Sequence, residues 1–586
     1  MANSVPDRRS LKEYEWELTP DYVPPHITEL PRGQGFSWGK LIKFNSIVAK
    51  GVLSFIVIEF FYFFNRLLKG KFKFQRTADF GIAGAFKAIR EWDKIEDFKG
   101  FFKPWTSFDL PKVADTWQDD REFGQQRLCG INPAFIRKCR AEDLAPEGKF
   151  PVTDQTVAGL LPSSSSLAEE LAGDRLYLLD YQILSDIITS DLEDQLGRYP
   201  VAPLCLLIVN KEQQLMPLAI RLQQGEFHDL ETNPIFTPSS PEPKWLMAKV
   251  AVASTDIAYQ GIVSHLLNTH LIIETFAVTT FRQFSPQHLI FQLLRSHFFN
   301  TFAINEMARG IFLGHDGFFD NTGALGYTGS NELLERAYTG KGKNYDGEPH
   351  LFYRTALPVD LAAREVSNLP GYHYRDDALK IWNAIQAYVA DILRLAYKSA
   401  ADLLNDAELQ AWKQELVSPN YGKLAGLLPP EKADQINGAL TDLEDLTTIL
   451  TTVIFTASAQ HSAVNFGQYE YAGWVPNMPF ATYKPFTDLL RQKENPVDLL
   501  PRLPDRLLTI KQMVLVKALS MPTPDSSPSL LTMANPFEDP AAQKFFQDFQ
   551  LVQLQKIEQE ITERNASAAV PYIRLLPSQI AQSIAI

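Results

Sequence analysis

Two histidines, His265 and His270, lie five residues apart in the apolar segment SHLLNTHLIIE. Imidazole is a common metal ligand in proteins, so their relative orientation matters. At about 100° per residue, side chains five positions apart on a regular α-helix point roughly 140° away from each other. We therefore predict that the two histidines could share one metal ion only if a π-type turn widens the helix between them, a distortion that is frequent at functional sites.

A third histidine, His461, precedes Asn465 by four residues in the segment HSAVNFGQY. Residues with this spacing lie one above the other on the same face of an α-helix, so both could reach an ion held between helices. A single histidine on an apolar helix is more often a hydrogen-bonded core residue than a ligand. The spacing alone therefore leaves both interpretations open.

The elements that must position these residues are mostly helices, because long helical patterns dominate from about Lys103 onward. The exception is a group of short apolar runs, LYLLDYQIL, PLCLLIVN and LMPLAIRL, which predict a small β region at about residues 176–224. We expect a mainly α fold with a main domain over residues 105–586. A helical, basic and apolar N-terminal extension is expected over residues 1–104.

The segment 37–76 has its own character, since it carries eight Lys or Arg and a single acidic residue, Glu59. Its centre, GVLSFIVIEFFYFF, is shorter than the roughly 20 residues that a membrane-spanning helix needs. Basic residues on both sides of an apolar run favour docking to an anionic membrane surface, and a buried helix with solvated ends is the alternative. The flanking basic residues are Lys40, Lys43, Lys50, Arg66, Lys69, Lys71 and Lys73.

Composition and net charge argue against several classes of partner and site. The chain has 586 residues and a net charge of −13, which argues against nucleic acid as a partner because phosphate binding needs a basic surface. Three cysteines without CxxC spacing support neither a disulfide framework nor a thiolate metal cluster. No signal peptide is visible, so we expect a cytoplasmic protein that could bind a membrane peripherally.

Several segments together strongly resemble the lipoxygenase family. They include WLMAKVAVASTD, SHLLNTHLIIETFAVTTFRQFSPQHLIFQLLRSH, TFAINEMARG, HSAVNFGQYEYAGWVPN and the C-terminal IAQSIAI, in the family's order. The resemblance covers roughly residues 105–586. We expect the chain to lack the β-sandwich domain with which eukaryotic members begin. It implies a lipoxygenase-like helical catalytic domain with a small β subdomain.

The resemblance also implies one non-haem iron per chain. Its ligands would be His265, His270, His461, Asn465 and the terminal carboxylate of Ile586. Imidazole and carboxylate ligands suit iron. Gln468 matches a family glutamine that links the metal ligands to the substrate cavity, whereas Gln260 and Gly261 depart from the family's usual His-Gln.

The implied reaction is dioxygenation of a polyunsaturated fatty acid such as linoleic, linolenic or arachidonic acid. A hydrogen is abstracted from a bisallylic methylene, and O₂ then adds to give a hydroperoxide. Ala308, Phe312 and Phe319 match family positions that direct oxygen or form pocket walls, and alanine at position 308 favours S products.

Two other classes of function compete with this one. A zinc-dependent hydrolase would normally carry a carboxylate base, as in HExxH, and this motif is absent from the sequence. A non-catalytic lipid-binding protein that has kept the fold would be expected to lose ligands, yet all five positions are filled.

Overall fold

The computed structural model describes residues 13–18, 23–36, 43, 45–51, 53–54, 92–104, 106–144, 150–162, 165–187, 197–224, 233–432, 438–485, 499–523, 527–568, 571–584 and 586. Within these, helices dominate, and they are accompanied by one five-stranded antiparallel sheet and two small two-stranded ladders. Lys43 and Lys50 are described, whereas Lys40, Arg66, Lys69, Lys71 and Lys73 lie outside the described residues.

The helices are numbered in chain order over the described residues. The α-helices are α1 (Asp120–Cys129), α2 (Leu167–Ala172), α3 (Glu242–Tyr259), α4 (Ile272–Gln283), α5 (Leu289–Leu294), α6 (Thr301–Ile311), α7 (Phe318–Thr322), α8 (Gly326–Thr339), α9 (Leu357–Ala363), α10 (His373–Ala396), α11 (Ala400–Leu404), α12 (Ala407–Val417), α13 (Leu443–Phe455), α14 (His461–Asn465), α15 (Gln468–Ala472), α16 (Arg506–Leu519), α17 (Pro540–Asp548) and α18 (Gln555–Ala566). The π-helices are π1 (Gln260–Leu271), π2 (Thr456–Gln460) and π3 (Phe549–Leu554). Short 3₁₀ segments occupy Ile95–Phe101, Lys112–Asp115, Ala141–Leu144, Gln182–Leu184, Arg295–Phe298, Phe352–Thr355, Pro430–Lys432 and Leu500–Arg502.

The central element is the continuous helix α3–π1–α4, which runs over 42 residues from Glu242 to Gln283. It is long and apolar enough to cross a membrane, but 89% of its most apolar window is buried inside the protein. Other helices surround it, with α12 on α4 and α14 on π1. Its apolar character is therefore that of a core helix, as expected for a helix that is hydrophobic on all sides.

The five-stranded sheet is antiparallel. Its strands lie in the order β3 (Arg137–Lys138), β4 (Leu176–Asp180), β5 (Leu204–Val209), β6 (Leu215–Arg221) and β7 (Ile235–Phe236). The central strands confirm the three predicted runs, with Leu178 paired to Leu206 and Leu206 to Ala219. Alternate residues serve two cores: Tyr177 and Cys205 face the helical body, and Leu178 and Leu206 face a smaller cluster. With β3 and β7, the sheet extends beyond the predicted residues 176–224.

The described part of the N-terminal extension is only partly helical. A two-residue ladder pairs β1 (Trp16–Glu17) with β2 (His26–Ile27). Residues 45–51 and 53–54 are helical, and a second small ladder in the main domain joins β8 (Lys341–Gly342) to β9 (Tyr345–Asp346). The extension packs on the helical body through Ile27, which is buried in the main core, and through Ile47.

Candidate metal centre

The helix π1 brings His265 and His270 together. Backbone hydrogen bonds in a π-helix join residues five apart, so side chains at that spacing lie one above the other. The two Nε2 atoms are 3.1 Å apart, and the ring centroids are 4.7 Å apart. The predicted widening of the helix is therefore present, and it turns a divergent pair into a convergent one.

His461 completes the group from a second widened helix. It is the first residue of α14, directly after π2, and π2 packs against π1. Its ring centroid is 5.2 Å from that of His265 and 5.1 Å from that of His270. Ligand atoms of the three side chains all lie within 4.8 Å of one another, and all three residues are buried.

The C-terminal residue reaches the same point. A main-chain oxygen of Ile586 lies 3.0 Å from His461 Nε2. The segment before it is tied to the core at several places: the His297 Nδ1 lies 2.7 Å from the Gln582 carbonyl oxygen, and the Ala581 amide donates to Ser462 Oγ. The structure thus brings four of the five predicted ligands into one buried cluster.

Asn465 lies one helical turn after His461 and is fully buried. Its amide group is fixed, because Nδ2 donates to the Leu519 carbonyl at 2.9 Å and Oδ1 accepts from Gln468 Nε2 at 2.8 Å. An amide oxygen has two lone pairs, so one remains for a metal ion. Gln468 also lines the cavity described below, and it therefore joins Asn465 to that cavity.

The donor set fits a metal ion. Burial, followed by the two neighbouring imidazoles, holds the pKa of His265 well below its usual value, and burial lowers the pKa of His270 to about 4. Both imidazoles are therefore neutral near pH 7, which is the form that binds metals. Three imidazoles with a carboxylate suit a first-row transition metal such as iron.

Sequence analysis missed Asn305, although it lies in the same INEMAR motif as Ala308. Asn305 is buried in α6, and its Oδ1 lies 2.7 Å from His270 Nδ1. Its side chain also contacts Glu274, which pairs with Arg309. The contact between Asn305 and His270 depends on how α6 packs against π1, so no spacing along the chain could have shown it.

An apolar cavity of about 50 Å³ adjoins the histidines. Its described lining holds no Lys, Arg, Asp or Glu side chain. The residues are Ile257, Gln260, Gly261, His265, Leu266, His270, Ile304, Ala308, Phe312, Leu313, Phe319, Gln468, Phe480, Leu515, Leu519 and Ile586. The three residues predicted to direct oxygen or form pocket walls are therefore all in the cavity wall.

The two residues that depart from the family pattern also border this cavity. Gln260 is fully buried and donates from Nε2 to the Val464 carbonyl at 2.7 Å, so it joins π1 to α14. Gly261 leaves open space, because a Cβ placed there would meet only Phe319, at 3.8 Å.

The sequence profile of the Lipoxygenase family matches residues 59–574. The human hydroperoxide isomerase ALOXE3 is 33% identical over 507 residues, which cover 86% of this chain and 67% of that protein. The rat polyunsaturated fatty acid lipoxygenase ALOX15B is 33% identical over 527 residues, which cover 89% of this chain and 74% of that protein. The anaerobic crystal structure of a LOX variant in complex with arachidonate superposes with a TM-score of 0.82 at 28% identity, covering the whole of this chain and 83% of that one.

Proposed function

The chain belongs to the lipoxygenase family, and from this premise we propose that it is an iron-dependent dioxygenase of polyunsaturated fatty acids. The substrate class includes linoleic, linolenic and arachidonic acids, with O₂ as the second substrate and a fatty acid hydroperoxide as product. One observation carries the proposal: three buried imidazoles converge on the wall of an apolar cavity.

The iron would be held by His265, His270, His461, Asn465 and the terminal carboxylate of Ile586. When bound, it would supply the one-electron redox chemistry that hydrogen abstraction requires. The protein's own part is to hold the substrate, since apolar side chains such as Leu266 and Ile304 orient a hydrocarbon chain beside the histidines and exclude water. Because no described lining residue has a cationic side chain, we propose that the fatty acid carboxylate lies outside this cavity.

Metal analysis together with oxygen uptake on linoleate tests the proposal. We expect one iron per chain in the wild type, and loss of both iron and oxygen uptake in His270→Ala and His461→Ala. His350→Ala is the matched control, because His350 is also buried but lines a different cavity. Stoichiometric zinc without oxygen uptake would favour a hydrolase, and a metal-free protein that binds fatty acid would favour a non-catalytic lipid-binding role.

We also propose that the N-terminal extension docks the enzyme peripherally on an anionic membrane surface from the cytoplasmic side. Two features of the described helical residues support this. Lys43 and Lys50 are exposed, and Leu53 beside them is 61% exposed. Basic and apolar side chains on one exposed segment are typical of an interfacial anchor.

A further inference from the structure

Asn305 faces the ring nitrogen of His270 that points away from the metal centre. The Asn305 Nδ2 donates to the His270 carbonyl at 2.9 Å and to Glu274 Oε2 at 2.7 Å. Both amide hydrogens are therefore used, and this fixes the orientation of the amide group. The Oδ1 that faces His270 Nδ1 at 2.7 Å can only accept a hydrogen bond.

This contact determines where the imidazole proton lies. Since Asn305 Oδ1 is an acceptor, His270 Nδ1 must carry the hydrogen, and the lone pair of the neutral ring is then on Nε2. Nε2 is the atom that faces His265 at 3.1 Å. Asn305 therefore presents the correct nitrogen of His270 to the centre and holds the plane of the ring.

Asn305 is held in turn by a buried ion pair. Glu274 is fully buried, and its carboxylate accepts from Arg309 Nη1 at 2.8 Å and Nη2 at 3.3 Å. Arg309 follows Asn305 by four residues on α6, so both side chains lie on the helix face that meets α4. The backbone amide of Ile27, in β2, also donates a long hydrogen bond of 3.5 Å to Glu274 Oε1.

We propose that Asn305 is a positioning residue for His270, and that the Glu274–Arg309 pair keeps it in place. This rests on the proposed function in one respect only, namely that His270 binds the metal. A partner of this kind typically changes metal affinity or activity by about 10–100-fold when it is lost.

The test measures how fast iron leaves the purified holoenzyme in excess chelator, together with the EPR spectrum of its ferric form. Asn305→Leu removes the acceptor, and we expect iron release at least about tenfold faster than in the wild type, with an altered ferric spectrum. Asn305→Asp keeps an acceptor for His270 but places a second carboxylate beside Glu274, so it should also lose iron faster. In the double variant with Glu274→Gln, the amide at position 274 can donate to the new carboxylate at position 305. This variant should therefore recover most of the iron retention.

Asn331→Leu is the matched control, because Asn331 makes a similar contact, from Nδ2 to the Tyr327 carbonyl at 2.8 Å, but on α8. The proposal is overturned if Asn305→Leu releases iron at the wild-type rate with an unchanged spectrum, even if it unfolds at a lower temperature. Should that variant not fold, the Asn305→Asp single and double variants decide, and equal iron release from both overturns the proposal. An iron-loaded wild type that consumes no oxygen would contradict the dioxygenase function and leave this test intact.

Discussion

His297 and His350 are buried histidines outside the proposed ligand set, and burial lowers the pKa of each to about 4. The unfolded chain takes up a proton on each near pH 6.5, so stability falls as the pH drops from about 6.5 towards 4. Each shift corresponds to roughly 3 kcal/mol over that window. We expect His350→Gln to flatten the dependence of the melting temperature on pH between 4 and 6.5, measured by thermal unfolding. An unchanged slope would show that His350 does not contribute.

Ala308 lies on α6 with its methyl group at the cavity, where it can control the space through which oxygen reaches the substrate. We expect Ala308→Gly to move the site or the chirality of oxygenation away from S products, as measured by chiral chromatography of the products from linoleic and arachidonic acids. Ala303→Gly is the matched control, since it introduces the same helix penalty of about 1 kcal/mol at a buried position of α6 outside the cavity lining. Unchanged products with both variants would make Ala308 a packing residue.

At the scale of elements, π1 carries two of the proposed metal ligands, His265 and His270, and also Gly261, which borders the cavity. Gly261 is helical and has room for a side chain, so Gly261→Ala should raise stability by up to about 1 kcal/mol and keep activity. Gly261→Leu should fill the space beside Phe319 and reduce oxygen uptake on linoleate while iron is retained. Adding Phe319→Ala should restore part of the uptake. Full activity of Gly261→Leu would show that substrate does not use this part of the cavity.

The sequence predicted those elements whose geometry depends on local spacing. For His265 and His270 to share one metal ion, their five-residue interval required a π-type turn, and this turn is present. Apolar runs predicted β4, β5 and β6. Contacts between distant elements were missed. Asn305 acts across two helices, and the two-residue strands β3 and β7 are too short to show a period.

The N-terminal extension was expected to be helical, yet residues 16–17 and 26–27 form a ladder. The reason lies in tertiary packing, because Ile27 is buried in the main core and the Trp16 indole donates to Glu415. Such contacts override the local preference of a short segment.

At the scale of the whole molecule, the extension links the candidate metal centre to the proposed membrane surface. Ile47 packs against the cluster of Phe466, Met521, Ala581 and Ile586, so deleting the extension would also expose that cluster. Charge reversal is the cleaner test. We expect the double variant Lys43→Glu and Lys50→Glu to lose binding to anionic vesicles in a sedimentation assay, and added salt to weaken wild-type binding.

The matched control reverses two exposed lysines of the main domain, Lys341 and Lys556, whose side chains are 67% and 77% exposed. Its vesicle binding should equal that of the wild type. If the wild type does not bind anionic vesicles at low salt, the segment 37–76 serves packing and not membrane docking.

The contacts of Tyr14 and Trp16 have a consequence for biosynthesis. Tyr14 stacks on Phe281 with ring centroids 4.9 Å apart, and the Trp16 indole donates at 2.6 Å to Glu415, which is 399 residues further along the chain. At roughly 5–20 residues per second, the ribosome needs about 20–80 s to deliver that partner after Trp16 has been made. Until Phe281 and then Glu415 have emerged, the Tyr14 and Trp16 side chains cannot make these contacts, so they are available to chaperones and proteases.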